Sequence, residues 1–417
     1  MKKLEFVNLY YKPRNDLICL FKIIPKGDLM RAANTVALES STGTWTEVPG
    51  QEYVEKLKAK VFSIKDNGYV KIAYPQELFE YDNVPNILSS IAGNIFGMKT
   101  VRAIRLEDVS FPKAILKSFK GPRYGIGGIR KMMKIKSRPL VGTIIKPKLG
   151  LNTQHHAESA YESWIGGCDL VKDDENLASQ KFNLFEKRLA QTLEMADKAE
   201  QETGEKKAYL VNVTAETKEM IKRAQLAEKM GSKYIMIDIL TAGWAAVQTL
   251  REANFKMAIH AHRAMHAAFD RNPNHGISMM VIADFARLIG VDTLHIGTGI
   301  GKLEGDVKDI KEIQEEIEKH NIKETKKRLE QNWDKIKPVL GVSSGGLHPG
   351  HVPFLIKHLG KDLVIQAGGG ISGHPYGSRA GAIAMRQAVD ATLKNISLKE
   401  YAKNHVELEM ALRKWKV

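Results

Sequence analysis

At 417 residues, with 43% hydrophobic and 27% charged side chains, the chain is too long for one ordinary core and suits a soluble globular protein of two domains. No run approaches the ~20 apolar residues of a membrane-spanning helix, and two cysteines, Cys19 and Cys168, exclude a disulfide framework or a thiolate zinc site. The 63 Lys and Arg against 48 Asp and Glu leave a net charge of +15; with no stacking-aromatic or helix-turn-helix pattern beside it, that excess favours anionic substrates over nucleic acid.

The opening stretch, MKKLEFVNLYYKPRNDLICLF, is interrupted by charges and lacks an apolar signal core, so it reads as a first strand of a cytoplasmic protein. LICLFKIIPK (17–26) and VFSIKDNGYVKIAYP (61–75) have strand character, the second a hairpin turning at Asp66-Asn67-Gly68. DLMRAANTVALESS (28–41) and VPNILSSIAGNIFG (84–97) have helical spacing. These elements predict an N-terminal α+β domain of ferredoxin-like type over residues 1–120, followed by a glycine-rich linker containing Gly121, Gly125, Gly127 and Gly128.

From there to residue 417, short apolar runs alternate with amphipathic helices such as 184–203, 217–231 and 376–394, the pattern of βα units. The runs are 139–148, 168–174, 208–215, 233–240, 256–263, 292–299, 339–346 and 362–370. Eight repeats over about 280 residues suit a (β/α)8 barrel, typically ~250 residues long. A doubly wound open sheet would carry a G-x-G-x-x-G turn after its first strand, and none is present. The mixed-sign stretch 306–336 reads as solvated helix faces.

Reactive residues fall where these strands end: Lys146 and Lys148; Lys172, Asp174 and Glu175; Asn212 and Thr214; Asp238; His260, His262 and Arg263; His295 and Thr298; Ser344, Gly345 and Gly346; Gly368, Gly369 and Gly370. In a barrel these ends ring one face, where active sites sit. Lys172-Asp173-Asp174-Glu175 offers hard oxygen ligands for Mg2+, although such a run alone is usually a solvated loop. Ser344-Gly345-Gly346 and Gly368-Gly369-Gly370 close strands seven and eight, a common barrel phosphate site, with plain tight turns as the alternative. Arg263 and His295 suggest a second anion site. HAHRAMH (260–266) fits substrate binding or proton transfer better than zinc, because alternation puts only His260 and His262 on one strand face. GTGIGKLEG (297–305) surrounds Lys302 with glycines, as in a closing loop or merely a flexible surface loop.

Over essentially its whole length the sequence resembles the large subunit of ribulose-1,5-bisphosphate carboxylase/oxygenase, most closely the archaeal, methanogen-type form III. The motifs are G-x-D-x-x-K-x-D-E at 167–175, K-P-K at 146–148, H-x-H-R-A-M-H at 260–266, G-K-L-E-G at 301–305, E-S-S-T-G-T-W at 39–45 and G-N-x-F-G at 93–97. The resemblance implies that Lys172 is carbamylated by an activator CO2 and, with Asp174 and Glu175, holds Mg2+, Asp173 being no ligand. It further implies that Lys302 closes over the gas-addition site, Lys146 protonates the final carbanion with Lys148 tuning it, and His262 contacts the sugar. Arg263, His295 and Ser344 would take one phosphate, and Gly346, Gly368 and Gly369, beside Gly345 and with Thr44 and Trp45, the other. Glu39, Thr44, Trp45 and Asn94 would complete the neighbouring subunit's site, hence a homodimer or an assembly of dimers, with no small subunit expected. The implied activity is carboxylation of ribulose bisphosphate to two 3-phosphoglycerates, with O2 in a side reaction; a related protein that only enolises or isomerises a sugar phosphate is the alternative. Departures are Leu170 for phenylalanine, Ile144 for threonine and Gly299-Ile300 for two valines, the glycine being expected to loosen the Lys302 loop.

Overall fold

The structure, a computed structural model, describes residues 4–43, 52–301 and 306–417. Two compact units result, one made of residues 1–121, 265–289 and 319–336, the other of 122–264, 290–318 and 337–417.

In the first unit the chain runs β1 (Asp16–Pro25), α1 (Leu29–Glu39), β2 (Lys60–Ile64), β3 (Tyr69–Pro75), α2 (Val84–Ile91) and β4 (Val101–Ser110). The sheet order is β4-β1-β3-β2, with antiparallel neighbours, and the pair Gly276–Ile277 adds in parallel at the β4 edge. This is the ferredoxin-like order. Leu17, Cys19, Phe21 and Ile23 alternate along β1 and are all buried. On α1, Ala32, Ala33, Val36 and Ala37 form the buried stripe, and Asp28 caps the helix by accepting from Arg31 N at 2.8 Å. The first strand begins only at Asp16; before it, Val7 makes an isolated bridge to Val61. The helical reading of 84–97 divides, with α2 ending at Ile91 and a 3-10 turn following at Asn94–Gly97.

The stretch 306–336 departs from its helical reading. Only Val307–Glu318 is helix, with Ile310, Ile313 and Ile317 buried. Residues 319–336 belong to the first unit, where Asn321–Ile322 pairs with Gln331–Asn332. Ile322, Leu329 and Trp333 are buried there, and because their spacing would equally suit one helix face, the strand pairing is set by packing rather than by local period. Among the described residues no helix is long and apolar enough to cross a membrane.

The second unit holds a closed barrel of eight parallel strands in chain order: Leu140–Ile144, Leu170–Lys172, Ala208–Asn212, Tyr234–Asp238, Ala258–His262, Thr293–His295, Leu340–Ser344 and Leu363–Gln366. Its floor is one apolar cluster of Leu140, Leu170, Leu210, Tyr234, Met236, Ala258, Val342 and Val364, together with Ile129 and Met133 of the helix Gly125–Met133. Side chains alternate along a strand, so residues two further on from the floor face the same way. That places Lys172 above Leu170, Asn212 above Leu210, Asp238 above Met236, His260 above Ala258, Ser344 above Val342 and Gln366 above Val364. The apolar floor thus sets which polar residues line the mouth.

Candidate active site

Lys172 ends the second barrel strand with its side chain wholly enclosed. Its Nζ donates to Asp173 O at 2.7 Å, lies 3.2 Å from Met236 Sδ, and stands 3.5 Å from Glu175 Oε2. Burial lowers the pKa of this amine against the opposing pull of Glu175, Asp174 and Asp173. Asp174 Oδ2 accepts from Lys146 Nζ at 2.7 Å, joining the ends of strands one and two, and Asn176 donates to Oδ1. Burial alone would raise the Asp174 pKa, but Lys146 and Asn176 bring it below the ordinary value. Glu175 behaves alike: burial raises its pKa, and Lys172 and His262 more than offset that. Both carboxylates are therefore charged and available.

Asp173 is different. Its buried carboxylate takes Arg188 Nε at 3.2 Å, Tyr209 OH at 2.5 Å and Asn212 N at 2.9 Å, with His156 Nε2 at 3.1 Å. Desolvation raises its pKa, yet Arg188, His156 and Tyr209 together hold it well below the carboxylate range. Both of its oxygens are thus engaged by the scaffold around strands two and three.

On the far side, His262 Nδ1 lies 3.4 Å from Asp238 Oδ1 and its Nε2 3.6 Å from Glu175 Oε2, so one imidazole spans strands four, five and two. Asp238 is itself fixed by Ala264 N at 2.8 Å and Thr241 Oγ1 at 2.9 Å. Beneath, His260 Nε2 and His295 Nε2 are 3.0 Å apart and His260 Nδ1 meets Thr293 Oγ1 at 2.8 Å. Burial drives both imidazoles well below their usual pKa, with nearby cationic groups adding to it. Two neutral rings share the Nε2 contact, one donating and one accepting.

The glycine loops close the ring. Gly345 and Gly346 have φ of +131° and +72°, backbone that side chains resist. A β-carbon on Gly368 would stand 3.0 Å from Lys146 Cε, which sets the first-strand lysine beside the eighth-strand loop. Gly369 begins the four-residue helix Gly369–Ser372, with open space where its side chain would be. Arg263 Nη2 approaches Gly297, and Gly301 packs against Gly345 O. Gly299 has φ +62°, and its β-carbon would meet Val307 Cγ2 at 2.5 Å, so glycine there is required by this backbone as well as permissive of motion. Lys148 is exposed.

Glu39 and Asn94, both in the first unit, meet directly, Asn94 Nδ2 donating to Glu39 Oε1 at 3.2 Å. Thr44, Trp45 and Lys302 lie outside the described residues. One lining residue escaped the sequence reading. Gln366 is fully buried, and neither amide atom has a partner within the described protein, which is costly unless a ligand or water supplies one. Its signal was an isolated amide, two residues before Gly368, inside a run that read simply as an apolar strand.

The donor chemistry fits a hard divalent cation. Asp174 and Glu175 offer charged oxygens beside a lysine whose neutral form burial favours. Among the described residues no three His, Cys, Asp or Glu side chains form a metal-holding group, so these two carboxylates need a further oxygen from a neighbour such as Lys172.

Comparison with known proteins bears on the whole chain. The family model for the ribulose bisphosphate carboxylase large chain, catalytic domain, matches residues 125–415, and that for its N-terminal domain matches 5–115. The chain belongs to this family. The ribulose bisphosphate carboxylase of Methanocaldococcus jannaschii is 52% identical over 425 residues, covering 99% of this chain and 100% of the relative. That of Methanosarcina mazei is 50% identical, with 99% of each covered. Among solved structures, the dimeric archaeal Rubisco from Hyperthermus butylicus superposes with a TM-score of 0.94 at 49% identity, covering 99% of both chains. The octameric Rubisco from Pyrococcus horikoshii OT3 gives 0.91 at 46%, covering 99% of this chain and 98% of the other. The barrel and the ferredoxin-like sheet are thus the two domains of a Rubisco large chain.

Proposed function

We propose that this chain is a ribulose-1,5-bisphosphate carboxylase that joins CO2 and water to its substrate to yield two molecules of 3-phosphoglycerate, with O2 as a competing gas. The observation that carries the reading is the convergence, at one end of the barrel, of enclosed Lys172 with Asp174, Glu175, Lys146 and His262, flanked by two glycine loops. Family membership supplies the substrate.

The neutral Lys172 amine attacks an activator CO2; the N–C bond forms as one C=O π pair moves onto oxygen, one N–H proton passes to solvent, and the amine becomes a carbamate oxygen donor. Carbamate, Asp174 and Glu175 would hold Mg2+, which when bound polarises the sugar's carbonyl and hydroxyl oxygens and favours the enediolate. Asp173, kept anionic by Arg188, fixes the backbone on which these ligands sit. The Lys172 carbamate accepts the C3 proton, and His262, braced by Asp238, orients the sugar hydroxyls. Lys146, held by Asp174, returns a proton to the carbanion left by carbon–carbon cleavage, with Lys148 tuning it. Arg263, His295 and Ser344 take one phosphate; Gly345, Gly346, Gly368 and Gly369, with Thr44 and Trp45, take the other. Lys302 closes over the added carboxylate. Glu39 and Asn94 act in a partner subunit's site, which makes the working unit a homodimer or an assembly of dimers, in the cytoplasm.

The test is fixation of radiolabelled CO2 after preincubation with CO2 and Mg2+. Acid-stable label in 3-phosphoglycerate is expected. Consumption of ribulose bisphosphate without label would point instead to an enolase or isomerase.

A further inference from the structure

A phosphate seat made of glycine N–H groups has no side chain of its own to hold it, and the φ values of Gly345 and Gly346 are ones that glycine also leaves readily. Its support lies behind it. Gly370 is so close beneath the preceding loop that a β-carbon there would stand 1.9 Å from Leu347 O and 2.8 Å from His348 Cα. The loops after strands seven and eight therefore meet backbone to backbone. His348 Nδ1 accepts from Gly350 N at 3.2 Å, and His351 N donates to His348 O at 3.0 Å, folding this stretch into one 3-10 turn.

The segment Lys414–Val417 reaches all of these parts. The Trp415 ring stacks on His348, centroids 5.4 Å apart and planes within 5°. Val417 rests on Gly350, where a β-carbon would meet Val417 Cγ2 at 2.4 Å. Lys414 Nζ donates to Gly373 O, at the end of the short helix that Gly369 begins. Three residues of this segment, Lys414, Trp415 and Val417, thus hold both loops.

We propose that Lys414–Val417 is a positioning clamp that holds the Gly345-Gly346 and Gly368-Gly369 loops in mutual register for the phosphate of the substrate, with Trp415 on His348 as its main contact. This rests on the reading of those loops as a phosphate seat. Pre-organised donors bind an anion without an ordering cost at each encounter, so loss of the clamp weakens binding of the phosphate more than it slows chemistry at Lys172 and Lys146.

The experiment uses the full chain with Trp415→Ala and Trp415→Phe. Two quantities are read: KM for ribulose bisphosphate, and affinity for inorganic phosphate by calorimetry, which needs no turnover. Trp415→Ala should weaken both by about three- to tenfold, the span expected of one lost ring stack, with kcat within about twofold and unchanged dependence on CO2 and Mg2+. Trp415→Phe should restore both. Should Trp415→Ala fail to fold, Lys414→Met, which loses the Gly373 contact and the cation over the Trp415 ring but keeps the ring on His348, should show the same split in smaller measure. A folded variant with wild-type KM and phosphate affinity overturns the clamp, as does an equal fall in kcat without a change in either. If the wild-type protein binds phosphate but fixes no CO2, the carboxylase reading fails while the phosphate arm still judges the clamp.

Discussion

Replacing Asp173 by asparagine removes one negative charge from a pocket in which Arg188 has no exposed side-chain surface. Arg188 keeps its bonds to Asn183 O at 2.9 Å and Ala178 O at 2.7 Å, but its charge loses the carboxylate that neutralises it at 3.2 Å. The asparagine Oδ1 can still accept from Asn212 N and Arg188 Nε, but its NH2 would then face Tyr209 OH, whose hydrogen bond must reverse. Breaking one side of such a buried pair costs about 3–5 kcal/mol, against a total stability of about 5–15 kcal/mol for a typical fold. Asp174→Asn leaves a different partner behind. Lys146 is 34% exposed along its side chain, so its charge returns to water and the cost stays under about 1 kcal/mol. Urea unfolding of both variants should thus show a large midpoint loss for Asp173→Asn and a small one for Asp174→Asn. CO2- and Mg2+-dependent activity should show the reverse order when scaled to folded protein. The pH dependence has a definite sign. The folded-state pKa of Asp173 is depressed, so its contribution is complete above the ordinary carboxylate pKa and is lost as pH falls through the depressed value. The gap between wild type and Asp173→Asn should be constant at neutral pH and narrow only in acid. Equal stability of wild type and Asp173→Asn, or a larger loss for Asp174→Asn, would refute the division of labour between these two neighbours.

Other outcomes follow from the same geometry. Lys172→Met places an apolar chain beside Met236 and should lose activity and the carbamate carbon signal in 13C NMR; CO2-dependent activation surviving in it would sink the assignment. Gly299→Val should not improve CO2/O2 discrimination: with φ at +62° and Val307 Cγ2 2.5 Å from the new β-carbon, a loss of about 1–3 kcal/mol and a lower kcat are expected from unfolding and specificity assays. Gly369→Ala meets open space whereas Gly370→Ala meets Leu347 O at 1.9 Å, so the first should raise KM at unchanged thermal stability and the second should lower the melting temperature. Burial, with His351 adding to it, pushes His348 down to about 4 from 6.5; its stabilising contribution is full above 6.5 and falls as pH drops toward 4, and His348→Gln should flatten the stability profile in that window.

Much of this was legible along the chain because the relevant signals are local. A strand of alternating burial such as 17–23, a capped amphipathic helix such as 29–39, and eight apolar runs each ending in polar or glycine residues follow from periodicity and from the cost of burying unpaired polar groups. The stretch 319–336 was not legible, because its charges suit a solvated helix while Ile322, Leu329 and Trp333 are anchored only by long-range packing. The run Lys172–Glu175 divides the same way. Its residue types and its place at a strand end marked it as a candidate metal site from sequence alone. That Asp173 turns inward to Arg188, Tyr209 and Asn212, while Asp174 and Glu175 turn to Lys146 and His262, was decided by strands brought together through barrel closure. Gln366 and Trp415 acquired their surroundings in the same way. Residue type and period are properties of a segment; the partner that satisfies a buried charge, and hence its role, belongs to whatever the fold places within about 3 Å of it.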